Sequence, residues 1–306
     1  MHRSSHHATF PMHRAPVRGV CFALAASCLA GCFDFGFDRA TADGAVACEG
    51  DACAGGNPLD CDSLDGLVFC DGFEDDALSA WLPTGAPETP AIRVTAPEPV
   101  HSGSGAARGK VDGAPGTSAL KGVLSSAIDN GTLYFRAYYF IADDESTDDD
   151  AIVHFDIADF ESETARPNDN SGAISYYALG RTGTQAGAGF YFERYDGTGD
   201  NTSYAHDTAG AGLPLNKWFC FRAEVRFDPP QQTVYIKPAG GTESLYMQTS
   251  PATGNGGPAT FDVPGGYKHL FLPIPYTWSS GSLAPGPATT YVDDVAVGTK
   301  AIPCGE

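Results

Sequence analysis

Residues 217–228 (KWFCFRAEVRFD) alternate strictly. Phe219, Phe221, Ala223, Val225 and Phe227 occupy one set of positions, and Trp218, Cys220, Arg222, Glu224 and Arg226 the other. A period of two places these sets on opposite faces of a β-strand, whereas a helix would scatter both around its circumference. The pattern recurs, in shorter form, at 132–141, 151–160, 172–179, 187–195, 232–237, 268–274 and 290–298, with Gly-, Pro- and Asp-rich turns between. With 37 Gly and 22 Pro in 306 residues the chain is too punctuated for a helical bundle. Its aromatic content of 11 % is too high for a disordered chain. Only 118–128 carries a trace of helical period, and a strand fits it equally. No repeat of fixed period is present. About 12 short strands predict an all-β fold, one two-sheet jelly-roll sandwich, each strand offering an apolar face to the core and a polar face to ligands.

The first 31 residues read as an address rather than as part of that body. Arg3, Arg14 and Arg18 precede an apolar stretch, 19–29, and then Leu29-Ala30-Gly31-Cys32. A basic region, a short apolar region and a small-residue cleavage site make a secretory signal. The tetrapeptide resembles the lipobox of bacterial lipoproteins. That resemblance implies a signal peptide over 1–31, acylation of Cys32, and attachment to the bilayer, most simply the outer membrane because Phe33 follows the cysteine. Two acyl chains at about 0.8 kcal/mol per buried CH₂ hold a protein on a membrane without a transmembrane helix. Met12 opens a signal of more usual length than Met1 does. Residues 32–64, rich in Asp, Gly and Ala in their first part, read as a flexible tether. Residues 65–306 form the sandwich domain. The formal charge of −20 excludes nucleic acid as a partner, since phosphates would be repelled over most of the surface.

Setting aside Cys21 and Cys28 in the signal and Cys32, six cysteines remain: 48, 53, 61, 70, 220 and 304. An even set in an exported chain reads as disulfides, and no pair of CxxC motifs is present to hold zinc. If the strand near 67–73 lies antiparallel to the strand near 291–297, Cys61 and Cys304 fall at the same end of the sheet. The expected pairs are therefore Cys61–Cys304, Cys70–Cys220 and Cys48–Cys53.

Three stretches, VFCDGFED (68–75), NKWFCFRAEVRFDPPQQTVYIKPAGG (216–241) and TYVDDVAVGTKAIPC (290–304), resemble concanavalin A-like lectin/glucanase domains. The resemblance implies the sandwich and leaves the activity open among lectins, glucanases, polysaccharide lyases and adhesion modules. Glucanases of this class carry E-x-D-x-x-E on one strand. Here residues 154–159 read His-Phe-Asp-Ile-Ala-Asp, so the carboxylate pair of a retaining hydrolase is missing. Alginate lyases of the same fold carry R-x-E-x-R, which Arg222–Glu224–Arg226 matches, and Tyr235-Ile236-Lys237 loosely echoes a second lyase strand. The same R-x-E-x-R on a sheet face also reads as a salt-bridge ladder.

The candidate ligand-binding or catalytic residues are Arg136, His154, Asp156, Tyr191, Glu193, Arg222, Glu224 and Arg226, expected to share one concave face. Tyr134, Tyr138, Tyr177 and Trp218 are the candidate stacking platforms, with Tyr191 also suited to stacking. The resulting expectation is a membrane-anchored, extracytoplasmic carbohydrate-binding protein. A polysaccharide lyase is the alternative, with Tyr191 or His154 as base and Arg136 or Arg222 neutralising a uronate carboxylate. A structural protein whose face engages another protein is the third. Six acids within residues 143–150 read as a solvated turn or as oxygen ligands for Ca²⁺. The family resemblance puts a structural Ca²⁺ elsewhere, on Glu74 or Asp75 and Asp293.

Overall fold

The computed structural model describes residues 57–75, 78–85, 91–111, 116–142, 153–162, 173–180, 190–195, 201–206, 213–249, 265–277 and 288–305. The expected signal peptide, Cys32, most of the expected tether, Cys48 and Cys53, and the acidic run 143–150 lie outside these residues. All described residues belong to one unit.

The extended runs form two antiparallel sheets. The first has the order β13 (Ser244–Thr249), β12 (Gln231–Pro238), β11 (Trp218–Arg226), β6 (Thr132–Ile141), β15 (Ala288–Gly298), β4 (Ala106–Val111), β3 (Ile92–Val94). β1 (Leu67–Asp71) shares the free edge of β15 with β4, pairing with its C-terminal half. The second sheet runs β10 (Asn201–His206), β9 (Phe190–Tyr195), β8 (Ala173–Gly180), β7 (Val153–Ser162), β14 (Tyr267–Thr277), β5 (Gly116–Ile128), β2 (Trp81–Gly85). Residues 118–128, which carried the helical trace, are strand throughout. Their β-branched and apolar positions gain more from ladder pairing on both sides than from a lone helix.

The alternation places the core. Leu133, Phe135, Ala137, Tyr139 and Ile141 of β6 and Phe219, Phe221, Ala223 and Val225 of β11 face inward. They meet Leu120, Leu124, Ile157, Phe160, Tyr267, Leu270 and Leu272 of the second sheet. Each large side chain buried this way contributes roughly 1.5–3 kcal/mol. Phe135 meets Phe160 edge-on across the layers, with ring centroids 5.4 Å apart. Tyr139, fully buried, donates its hydroxyl to the Ile157 carbonyl at 2.6 Å. Ile157 is the residue skipped by the β7–β8 register, so a bulge in one sheet supplies the acceptor for a buried phenol of the other.

Among the described residues two disulfides staple this frame, and both differ from the expected pairing. Cys61 bonds to Cys70, and Cys220 to Cys304. The antiparallel match of β1 with β15 is present. After β15, however, the chain turns back across the outer face of the first sheet, burying Ile302 and delivering Cys304 to Cys220 on β11. Straight extrapolation from the strand ends misses that reversal. Cys61, in the 3-10 turn Cys61–Ser63, is left to close on the adjacent β1.

Candidate functional site

The twelve candidate ligand residues do not share one face: seven lie on the outer face of the first sheet and five on strands of the second. On the first sheet, register aligns Tyr134 with Glu224, Arg136 with Arg222, Tyr138 with Cys220 and Phe140 with Trp218. Most of this face is not a groove. Residues 95–105 and the C-terminal segment 299–305 pack on it, and Val94, Val100, Ala106, Tyr138, Phe140, Ala142, Trp218, Cys220 and Tyr291 form a second apolar cluster there. Tyr138 and Trp218 are 7 % and 2 % exposed, so neither is free to stack on a sugar. The His101 ring already occupies the Tyr138 face, with centroids 3.6 Å apart.

Arg136, 6 % exposed, donates to the carbonyls of Pro303 (3.1 Å) and Asp294 (3.4 Å). Burial pushes its guanidinium below the ordinary value. It serves as a post for the C-terminal segment and is closed to a uronate carboxylate. Arg222 forks onto Glu243, with Nε to Oε2 at 3.1 Å and Nη2 to Oε1 at 2.6 Å, and also bonds Glu224. It lies 3.9 Å over the Tyr235 ring. Burial works to lower its pKa, but the Glu243 and then the Glu224 carboxylates outweigh this and hold it above the ordinary value. Arg226 is exposed and donates to the Pro229 carbonyl and the Gln231 side chain. The R-x-E-x-R pattern is therefore a ladder of satisfied ion pairs and hydrogen bonds.

Glu74, Asp75 and Asp293 do not come together as a calcium site. Among the described residues, the potential metal-ligand atoms within 4.8 Å of one another belong to His101, Asp293 and Asp294. A bulge in β15, with Asp294 at φ 51°, turns two successive carboxylates to the same side of the strand. Asp293 Oδ2 accepts the N–H groups of His101 (3.0 Å) and Ser102 (3.1 Å), and Oδ1 accepts that of Asp294 (2.8 Å). Asp294 engages His101 Nδ1 and the Ser102 hydroxyl, both at 2.8 Å. Glu74 grips the far end of the same segment through the Ser104 N–H and hydroxyl. Gly103 lies so close beneath it that a Cβ there would sit 1.7 Å from the Glu74 carboxylate. These oxygens are spent on N–H and O–H donors, and a Ca²⁺ cage of six to eight oxygens does not fit the set. The cluster is a clamp on residues 101–104. Burial, and then the Asp294 carboxylate beside it, push Asp293 well above the ordinary carboxylate range.

On the second sheet, β7, β8 and β9 carry the remaining candidates. Asp156 stands opposite Tyr177, and Tyr177 opposite Tyr191. Glu193 stands opposite Ser175, one step along the same face, and His154 opposite both Leu179 and Tyr276. Phe160, in the core, aligns with Ile174, which aligns with Arg194. Alternation therefore assigns Tyr177, Tyr191 and Glu193 to the face away from the core, and the β7 bulge brings His154 and Asp156 to that side. By register these five positions fall on one face of the second sheet, whereas Arg136, Arg222, Glu224 and Arg226, expected beside them, lie on the first sheet.

Sequence reasoning missed three participants. Tyr276 lies past a bulge in β14, two residues beyond where the 268–274 alternation ends. Asp294 was signalled by Asp-Asp within the apolar run TYVDDVAVG, a break in alternation that marks a bulge. His101 sits in a connection with no periodic signal.

No family model matches the sequence, and no curated protein matches it. Similar solved structures exist. An endo-β-1,4-glucuronan lyase from the fungus Trichoderma reesei superposes with a TM-score of 0.52 at 12 % identity, covering 76 % of this chain and 96 % of its own. The cellulose-induced protein Cip1 gives a TM-score of 0.49 at 16 % identity over 78 % of this chain and all of its own. A lectin complexed with galactose, UEA-II, gives 0.45 at 9 % over 75 % of this chain and 97 % of its own. At these identities the likeness to the glucuronan lyase establishes the sandwich fold alone.

Proposed function

We propose that this protein binds carbohydrate on the outer face of its second sheet, outside the cytoplasm, held to a bilayer by acylated Cys32. The observation that carries the reading is the cross-strand row Asp156–Tyr177–Tyr191 with Glu193 one step away. Directly opposed positions have Cβ atoms about 5 Å apart, so the register sets two tyrosine positions side by side at a spacing suited to a sugar ring. Pyranose rings offer C–H faces to aromatic rings and hydroxyls to carboxylates, the combination this row supplies. The closure of the other outer face by the protein's own chain supports the assignment. The test is a glycan array with Tyr177→Ala and Tyr191→Ala, each expected to weaken binding at least tenfold, about 1.4 kcal/mol. Binding that survives both substitutions refutes the reading. An array without hits, together with a protein captured by cross-linking, favours the adhesive alternative.

A second reading, a polysaccharide lyase, rests on the register of His154 with Tyr276 on neighbouring strands. Such a pair suits β-elimination, one group removing the proton beside a uronate carboxylate and the other protonating the leaving oxygen. Unsaturated uronate absorbance on a panel of polyuronates, lost in His154→Ala and in Tyr276→Phe, would establish it. For the anchor, incorporation of labelled palmitate that disappears in Cys32→Ser is the expected result.

A further inference from the structure

The C-terminal segment lies across the outer face of the first sheet, and the Cys220–Cys304 bond is its covalent hold there. Of residues 301–305, Ile302 alone is buried; Ala301, Pro303 and Gly305 are exposed, and Cys304 is half-buried. Among the described residues, Arg136 donates to the Pro303 carbonyl and Lys237 to the Gly305 carbonyl, and Gly305 rests against Tyr138. The two disulfides differ in the charge around them. Lys237 stands directly opposite Cys220 on β12, and Tyr138, opposite it on β6, is followed on the same face by Arg136. Arg222, also near, is offset by Glu224 and Glu243. Arg136 is not offset in this way: its buried Nε has no acceptor among the described residues. Cys61, by contrast, is flanked by Asp60 and Asp62, and Asp71 follows Cys70.

We propose that Cys220–Cys304 is an exchangeable lock: a dithiol opens it in preference to Cys61–Cys70 and frees 301–305 from the first sheet while the sandwich stays folded. A thiolate of the dithiol attacks the half-buried Cys304 sulfur. The Sγ–Sγ bond breaks, and Cys220 leaves with the electron pair as a thiolate and then takes up a proton. The second thiol of the reductant attacks the mixed disulfide and releases the Cys304 thiol. The dithiol has then lost two electrons and become a disulfide, and the two cysteines have gained them. Exchange is faster when the leaving thiolate is stabilised. Lys237 and Arg136 do this for Cys220 and offset the cost of its burial, whereas aspartates oppose a thiolate at Cys61. Cys61 and Cys70, only 9 residues apart, also re-form their bond more readily once it opens. With the lock open, the backbone entropy regained by five residues outweighs one buried isoleucine and two hydrogen bonds. Release bares Arg136, Tyr138 and the Cys220 thiol on a face that the oxidised chain keeps covered.

The experiment exposes the full chain to dithiothreitol at neutral pH without denaturant, traps thiols with iodoacetamide over a time course and maps the labelled cysteines by mass. Cys220 and Cys304 are expected to label at least tenfold faster than Cys61 and Cys70. Amide exchange on the partly reduced protein is expected to quicken in 301–305 and 134–140 and to stay unchanged in the core strand segments 118–128 and 267–272. Lys237→Gln should slow the opening severalfold, and Lys237→Arg should restore it. Equal or faster labelling of Cys61 and Cys70 overturns the inference. So does opening at an unchanged or higher rate in Lys237→Gln, which removes its electrostatic basis. Exchange that quickens throughout the chain shows unfolding instead of release, and continued protection of 301–305 shows a segment that needs no lock; either result also overturns it. Should the variants misfold, the labelling order and exchange pattern of the unaltered protein decide.

Discussion

Opening the Cys220–Cys304 bond by the double substitution Cys220→Ala, Cys304→Ala is the sharpest perturbation of the frame. The two cysteines are 84 residues apart in sequence, whereas Cys61 and Cys70 are 9 apart. Loop-closure entropy assigns the longer link about 4.5 kcal/mol and the shorter about 2.5 kcal/mol of stabilisation, both acting on the unfolded chain. Alanine keeps the β-carbon at a position, Cys220, that is fully buried, so the dominant loss is connectivity. At roughly 2–4 °C per kcal/mol for a domain of this size, the Cys220–Cys304 variant should melt roughly 9–18 °C lower. Guanidinium unfolding at neutral pH measures the loss directly, and the slope of the transition reports any change in the unfolded state. The reasoning is refuted if the Cys61–Cys70 variant loses as much as the Cys220–Cys304 variant. A non-reduced peptide map linking Cys61 to Cys304 would also refute it.

Two further outcomes follow from side chains already placed. Burial pushes the Asp71 carboxyl above its ordinary range, more than its hydrogen bonds from Phe73 N–H and Trp81 Nε1 lower it. A raised folded pKa gives stability that is full below the unfolded value, near 3.9, and is lost as pH rises through the folded value. The stability difference between the protein and Asp71→Asn should therefore fall with rising pH across the acid range, and a flat or rising difference in urea melts would contradict it. Arg222→Ala removes the fork onto Glu243 and the packing on Tyr235, and should cost about 1–3 kcal/mol in the same melts. Glycan affinity should not change, because Arg222 is on the first sheet. Lost affinity with unchanged stability would return Arg222 to the binding site.

The fold was legible in the sequence because two-residue alternation is a local signal, and 217–228 shows both faces of β11 without knowledge of its neighbours. Strand order is not local. Nothing in Arg136 or Tyr191 tells a reader that β6 and β9 belong to different sheets, and the shared face assumed for them depended on that pairing. Alternation marks Tyr138 and Trp218 as facing away from the main core, and they do. It is silent on the irregular segments 95–105 and 299–305 that then bury them. The disulfides failed for the same reason: β1 and β15 pair as expected, but the turn after Gly298 that carries Cys304 across the first sheet leaves no periodic trace. Asp293-Asp294 was readable as a break in pattern, although its consequence, a clamp on 101–104, needed the partner loop.

Amide hydrogen exchange with and without a saturating amount of the glycan bound most tightly on the array tests the central claim most directly. The account predicts slowed exchange in 173–180 and 190–195, the strands of the tyrosine row, with 132–141 and 218–226 unchanged. Protection confined to 132–141 and 218–226 would place the ligand on the first sheet and contradict it.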